Sequence, residues 1–317
     1  MSILVTGGLG FVGSHTCRKL VDEGEKVIAL YRTPRKIDFF EEVSDRIMEL
    51  RGDILDLPHL MNIIKAEGIT GIVHAAAVAT EPPARARPHM AYQINVTGTV
   101  NVLEAARLMD LEKVVYISTG SAAGPTEDLK PVSESQRKPS GLYGTTKLMG
   151  ELMGLSYCSI YSLNIVVVRL AWIYGPGRDP LRTFGMEVPW DLAAIFQNAE
   201  EERPVEIEEG GDHPFDFTYV KDAVEVVVSA YRKRYPKYRV YNASVGRAFT
   251  LAEAAEGIRK VIPDAEIRIG SGTRRDIYLR GHLDITRARE DLAYVPQYDL
   301  ERGISEWHNW YNGGKIY

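Results

Sequence analysis

The sequence predicts an α/β fold, a doubly wound parallel sheet with a smaller α/β region C-terminal to it. Three observations carry that prediction. Short apolar runs alternate with amphipathic helical stretches through the first half of the 317 residues. The first run enters a glycine-rich turn that opens a helix. Near Tyr174 the alternation stops, where Gly175, Pro176, Gly177 and Pro180 interrupt it.

The first strand is expected at Ile3–Thr6, followed by T-G-G-L-G-F-V-G and a helix at Phe11–Glu23. Gly7 permits the tight turn, Gly10 lets backbone approach an anion without a Cβ between, and Gly13 lets helix pack on strand. The free N–H groups of the helix start, at Phe11 and Val12, face the same anion with the positive end of the helix dipole. Such a turn suits a dinucleotide pyrophosphate and makes the sheet Rossmann-type. Further strands are expected at Lys26–Tyr31, Gly71–Ala75, Val114–Ser118 and Ile165–Leu170. Helices are expected between them at Leu57–Glu67, Met90–Met109 and Tyr143–Tyr161. Right-handed crossovers then cover both faces of the sheet.

Beyond the break, helices at Trp190–Ala199, Val220–Arg234, Leu251–Val261 and Leu300–Asn312 accompany strands at Val205–Glu208 and Glu266–Ile269. Residues 1–174 therefore read as a dinucleotide-binding domain. Residues 175–317 read mainly as a substrate-binding cap, with some segments returning to the first domain. The cleft between the two is the expected binding site.

Composition narrows the partners. A net charge of −5 gives no general attraction for nucleic acid or anionic membrane. Apolar runs fall short of the ~20 residues a membrane span needs, and the first strand starts where a targeting peptide would stand. A cytoplasmic protein acting on a small molecule is expected. Cys17 and Cys158 show no metal or redox spacing and read as small core residues, and no metal is expected.

The strongest chemical signal is Tyr143-Gly-Thr-Thr-Lys147 at a helix start. Four residues along a helix place the ammonium on the same face as the phenol. A cation there is expected to lower the phenol pKa from ~10, so that Tyr143 exchanges a proton with a substrate oxygen. The strand ending Ile117-Ser-Thr-Gly-Ser121 supplies hydroxyls to hold that oxygen.

With these residues the chain resembles the extended short-chain dehydrogenase/reductases, which include nucleotide-sugar epimerases, dehydratases and reductases. The resemblance spans nearly the whole length, through G-D-I-L-D at Gly52–Asp56, V-H-A-A-A at Val73–Ala77, N-V-T-G-T-V-N-V-L-E-A-A at Asn95–Ala106, R-L-A-W-I-Y-G-P at Arg169–Pro176, F-D-F-T-Y-V-K-D at Phe215–Asp222 and L-D-I-T-R-A at Leu283–Ala288. It implies Thr119 as the catalytic hydroxyl, Tyr143 as proton donor or acceptor, and Lys147 as the residue that binds nicotinamide ribose and tunes the phenol. It also implies Asp53 and Ile54 beside the adenine, Ala75, Ala76 and Ala77 along the cofactor, and Asn95 supporting the strand edge or a relay water. His74 reads as a packed strand-end residue. Homodimerisation through the helices at Met90–Met109 and Tyr143–Tyr161 is implied by the same resemblance.

At the end of the second strand Tyr31 stands where NAD-using relatives carry an acidic residue, and Arg32, Arg35 and Lys36 follow. An arginine fork there favours the 2′-phosphate of NADP over NAD, and shades the expectation toward net carbonyl reduction. Gly120 and Ser121 follow Thr119, where dehydratases of the family carry an Asp-Glu pair, so elimination is disfavoured. Trp172 and Phe215 occupy positions where many nucleotide-sugar members carry diphosphate-binding Asn and Arg. Ser121, Trp172, Arg178, Phe215 and Arg275 are the candidate substrate contacts. Arg85, Arg87, His89, Arg182 and His213 are further candidates for an anion around the cleft, and Tyr174, Trp190 and Phe217 for an apolar wall or interdomain core. The expected function is an NAD(P)-dependent oxidoreductase moving hydride reversibly at a secondary alcohol or ketone of a sugar-like substrate. A nucleotide-sugar 4-epimerase with tightly bound NAD and a dehydrogenase of a small non-nucleotide hydroxy compound are the alternatives.

Overall fold

The strands β1 (Ser2–Thr6), β4 (Gly71–His74), β5 (Lys113–Thr119) and β6 (Ile165–Leu170) are nearly continuous apolar runs, as expected of parallel strands covered on both faces. With β2 (Lys26–Tyr31), β3 (Ile47–Arg51) and β7 (Val240–Ala243) they form one seven-stranded parallel sheet, ordered β7-β6-β5-β4-β1-β2-β3. The computed structural model describes residues 2–126, 128–179 and 188–317. Strand order reverses between β1 and β4, which opens a crevice at their C-terminal ends. All the glycine-loop and hydroxyl residues sit around that crevice.

Helices α1 (Phe11–Asp22) and α2 (Leu57–Glu67) match their expected positions within one residue. The expected helix Met90–Met109 is a composite: α4 (Pro88–Tyr92) follows α3 (Glu81–Ala86), a π-helical turn takes Gln93–Gly98, and α5 (Thr99–Leu108) completes it. Helix α6 (Gly141–Tyr161) carries Tyr143 and Lys147 on its first turns. The expected strand Gly71–Ala75 stops at His74, and Ala75 turns off the sheet while its N–H donates to Thr6 O at 3.1 Å.

In the second half, α7 (Leu192–Glu200), α8 (Val220–Arg232), α9 (Leu251–Val261), α10 (Thr286–Leu292) and α11 (Leu300–Tyr311) accompany, among the described residues, three two-stranded sheets. Strand β7 returns to the large sheet beside β6, and α8 packs on α1. Apolar side chains of β1, β2, β6, α7, α8 and α11 form one continuous core, in which Phe196 stacks on Trp307 at 4.0 Å. That shared core holds the two walls of the cleft together. Among the described residues no helix is long and apolar enough to cross a membrane.

Candidate active site

The crevice is a cleft of about 1460 Å³. Gly7 bends the chain after β1 with φ +69°, and a Cβ there would stand 2.9 Å from Ala76 N. Gly13 is tighter, because its Cβ would stand 2.1 Å from Gly7 O. The loop thus closes only on bare backbone. Gly10 caps α1 without any side-chain bond to the helix start, so the first N–H groups are left to an anion in the cleft. Gly10, Phe11 and Val12 line this cradle, and a pyrophosphate fits it.

Along the cleft from the cradle lie Tyr31, Arg32, Arg35, Asp53 and Ile54, with Ala75, Ala76 and Ala77 as floor. The expected basic fork is only partly available. Arg35 donates to Gly177 O at 2.7 Å, and Lys36 turns away to Glu41 at 2.9 Å. The expected NADP preference therefore loses two of its three cations.

Thr119, Ser121, Tyr143 and Lys147 line the same cleft. Thr119 Oγ1 accepts from Ser121 N at 3.2 Å, which fixes its rotamer at the end of β5. Glu81 accepts from Leu142 N at 3.0 Å and Tyr143 N at 2.8 Å, so it satisfies the open start of α6. Burial pushes the Tyr143 phenol up to about 12, and its hydrogen bond with Thr119 pulls it partly back. Burial brings Lys147 down to about 7, against the attraction of Glu151.

The Lys147 ammonium lies 4.2 Å from the centre of the Tyr116 ring, and Thr119 and Tyr278 act on the Tyr143 phenol. The lysine rests on an aromatic face.

Beneath Lys147, Arg169 and Glu151 form a doubly bonded pair with both side chains fully buried, at 2.9 and 2.7 Å, and Ser118 donates to the same carboxylate at 2.5 Å. Asn95 stands behind the wall of the cleft, not on it. It accepts from Val78 N at 2.8 Å and donates to Val78 O and Thr146 Oγ1, which ties the cleft floor to α6. His74 links Thr6 and Thr99. Because Thr99 donates to Asn95 O, His74 must donate through Nε2 and accept from Thr6 at Nδ1. Burial drops its pKa to about 3, so it stays neutral, in keeping with a packed residue.

Trp172, Trp190 and Phe215 make an aromatic wall, with ring centres 5.3 to 5.9 Å apart. Phe217 backs Phe215 at 5.0 Å, while Tyr174 turns into the core against Tyr219 and Trp307. Arg178 lines the cleft but holds buried Asp191 at 2.8 Å. Arg275 is exposed and off the cleft, and its neighbour Arg274 lines it instead, paired with Asp276 at 2.8 Å. Arg85 and His213 also line it, Arg87 and His89 do not, and Arg182 lies outside the described residues. Sequence reading missed Glu81 and Arg280. The one signal for Arg280 was the glycine after Thr119.

A parallel sheet with this strand order, a glycine cradle at its switch point and a Thr-Tyr-Lys set across the cleft define a dinucleotide-binding enzyme of the short-chain dehydrogenase/reductase type. The profile of the NAD dependent epimerase/dehydratase family matches residues 3–244, and the chain belongs to that family. It is similar to the UDP-glucuronate 4-epimerase of Thermodesulfobacterium geofontis, with 28% identity over 328 residues covering 97% of this chain and 95% of that one. The crystal structure of UDP-glucose 4-epimerase with UDP-glucose from Thermotoga maritima superposes with a TM-score of 0.87 at 26% identity, covering 98% and 99% of the two chains. MoeE5 in complex with UDP-glucuronic acid and NAD superposes at 0.84 and 26% identity, over 98% and 99%.

Proposed function

We propose that this chain is an NAD-dependent nucleotide-sugar 4-epimerase. The observation that carries the reading is the cleft itself: Thr119, Tyr143 and Lys147 line the same cavity as the glycine cradle and the Trp172, Trp190 and Phe215 wall. Its volume exceeds the ~300–1,000 Å³ of a site for one small ligand, which leaves room for a dinucleotide and a second molecule. The engagement of Arg35 and Lys36 elsewhere supports NAD over NADP, and removes the reason to favour net reduction. The relatives named above act on or bind UDP-sugars, and MoeE5 binds NAD.

NAD, when bound, takes up a hydride from the reacting carbon and gives it back. Gly7, Gly10 and Gly13 would hold its pyrophosphate, and Lys147 its nicotinamide ribose. Thr119 donates a hydrogen bond to the substrate oxygen, and Tyr143 takes the hydroxyl proton during oxidation and returns it during reduction. Lys147, once cationic, favours the phenolate by its charge. The aromatic wall offers a broad apolar surface with few directional contacts, which suits a sugar that presents either face.

The test is to incubate purified protein with UDP-glucose and with UDP-glucuronate without added reductant, and to follow the C4 configuration by NMR. The 4-epimer should form, and Tyr143→Phe should slow it by about 10²–10⁴-fold with NAD affinity retained. A reaction that consumes NADPH and yields only a reduced product would replace this reading with a reductase. We further propose a cytoplasmic homodimer. The exposed Tyr92, Met149 and Leu152 on α4 and α6 support a partner there, and light scattering tests it.

A further inference from the structure

Arg280 sits on the shoulder of Thr119. Its guanidinium is half-buried in the cleft wall and packs on Gly120, where a Cβ would stand 2.2 Å from Nη1 and 2.7 Å from Cζ. Any larger residue at 120 would displace that head. The glycine that replaces the dehydratase acid is therefore the opening through which a cation reaches the reacting end.

Of the other guanidiniums that line the cleft, Arg85, Arg178 and Arg274 hold Glu81, Asp191 and Asp276, Arg35 donates to Gly177 O, and Arg32 is exposed beside Tyr31. Among the described residues no carboxylate pairs with Arg280 and no hydrogen bond ties its head. Asp216 feels the Arg280 charge, but its oxygens already accept from Ser244 Oγ at 2.5 Å and Leu283 N at 2.7 Å. A half-buried cation without a counter-charge carries a desolvation cost that an incoming anion relieves.

We infer that Arg280 binds a carboxylate on the substrate, so that the enzyme selects nucleotide sugars of the hexuronic acid class. The inference rests on the C4 reading above. In a pyranose the diphosphate hangs from C1, across the ring from C4, whereas a uronic acid carries its carboxylate on C5, next to C4. A cation beside Thr119 therefore faces the carboxylate, and the planar fork takes it bidentately.

The test measures Kd for UDP-glucuronate, UDP-glucose and UDP on the NAD-loaded protein and on Arg280→Gln and Arg280→Lys. NAD affinity serves as the check on folding. UDP-glucuronate should bind about 10- to 100-fold more tightly than UDP-glucose to the unaltered protein. That ratio should collapse toward one in R280Q and recover in part in R280K. Equal affinities at the start, or the same loss for both sugars and for UDP in R280Q, would overturn the carboxylate role and leave the epimerase reading standing. If NAD binds and none of the three uridine ligands does, the nucleotide-sugar reading fails and this inference with it.

Discussion

Lys147 costs the free protein stability, and the cost has a calculable pH signature. Its side chain is 2% exposed, and burial lowers its pKa from 10.5 to about 7. Below pH 7 the folded and unfolded chains both carry the proton, and the fold bears the full penalty of a buried ammonium, roughly 5 kcal/mol. Between pH 7 and 10.5 the unfolded chain holds a proton that the folded chain has shed, so stability rises with pH. Over pH 7 to 9.5 the gain integrates to about 3 kcal/mol. Lys147→Met keeps most of the volume and removes the titration. Urea unfolding of both proteins, fitted with a common m-value, should show K147M ahead at pH 7, with a lead that shrinks by about 3 kcal/mol at pH 9.5. Every other titrating group is common to both and cancels. Parallel stability curves across that range would refute the burial argument. Turnover should be lost in the same variant, because a charge held at a reacting centre trades stability for activity.

Arg169→Ala leaves Glu151 buried without its partner and should cost about 3–5 kcal/mol, read as a drop in the urea midpoint. Asn95→Ala orphans the N–H and C=O of Val78 beneath the cleft floor. It should cost about 2–4 kcal/mol in unfolding and weaken NAD binding measured by calorimetry. Gly13→Ala drives a Cβ into Gly7 O, so NAD affinity should vanish while the far-UV spectrum stays native.

The central sheet was legible because buried parallel strands write themselves as apolar runs, and β1, β2 and β6 stand within a residue of where the sequence puts them. The two strands that sequence reading missed lie at the sheet edges. Ile47–Arg51 buries Ile47 alone and exposes Glu49 and Arg51, and Val240–Ala243 carries Asn242 within its four residues. Neither spells a continuous apolar run. The π-helical turn was invisible for another reason. It is held by Asn95 reaching Val78 and Thr146, contacts 17 and 51 residues away in the chain. Glu81 was missed likewise, since its role depends on residues 142 and 143. The glycine loop and Y-G-T-T-K were readable because each is a local device, with ligand, turn and helix start within a dozen residues.

What separates the site from its surroundings is how its polar groups are spent. Behind the wall the polar groups answer one another. Glu151 takes bonds from Arg169 and Ser118, and a chain of hydrogen bonds runs from Ala76 N–H through Thr6, His74 and Thr99 to Asn95 O. These pairings leave little freedom to the backbone on which Thr119 and Tyr143 stand. On the cleft side Arg85, Arg178 and Arg274 are paired, but the start of α1, the Lys147 ammonium and the Arg280 head lack a protein carboxylate or side-chain cap among the described residues. Each is a positive or donor group, and together they suit the ligands proposed above, anionic at the pyrophosphate, hydroxylated at the ribose and acidic beside the reacting carbon. A site whose inner side is satisfied and whose outer side is not holds its shape before the ligand arrives. Binding then releases desolvation cost instead of ordering the chain.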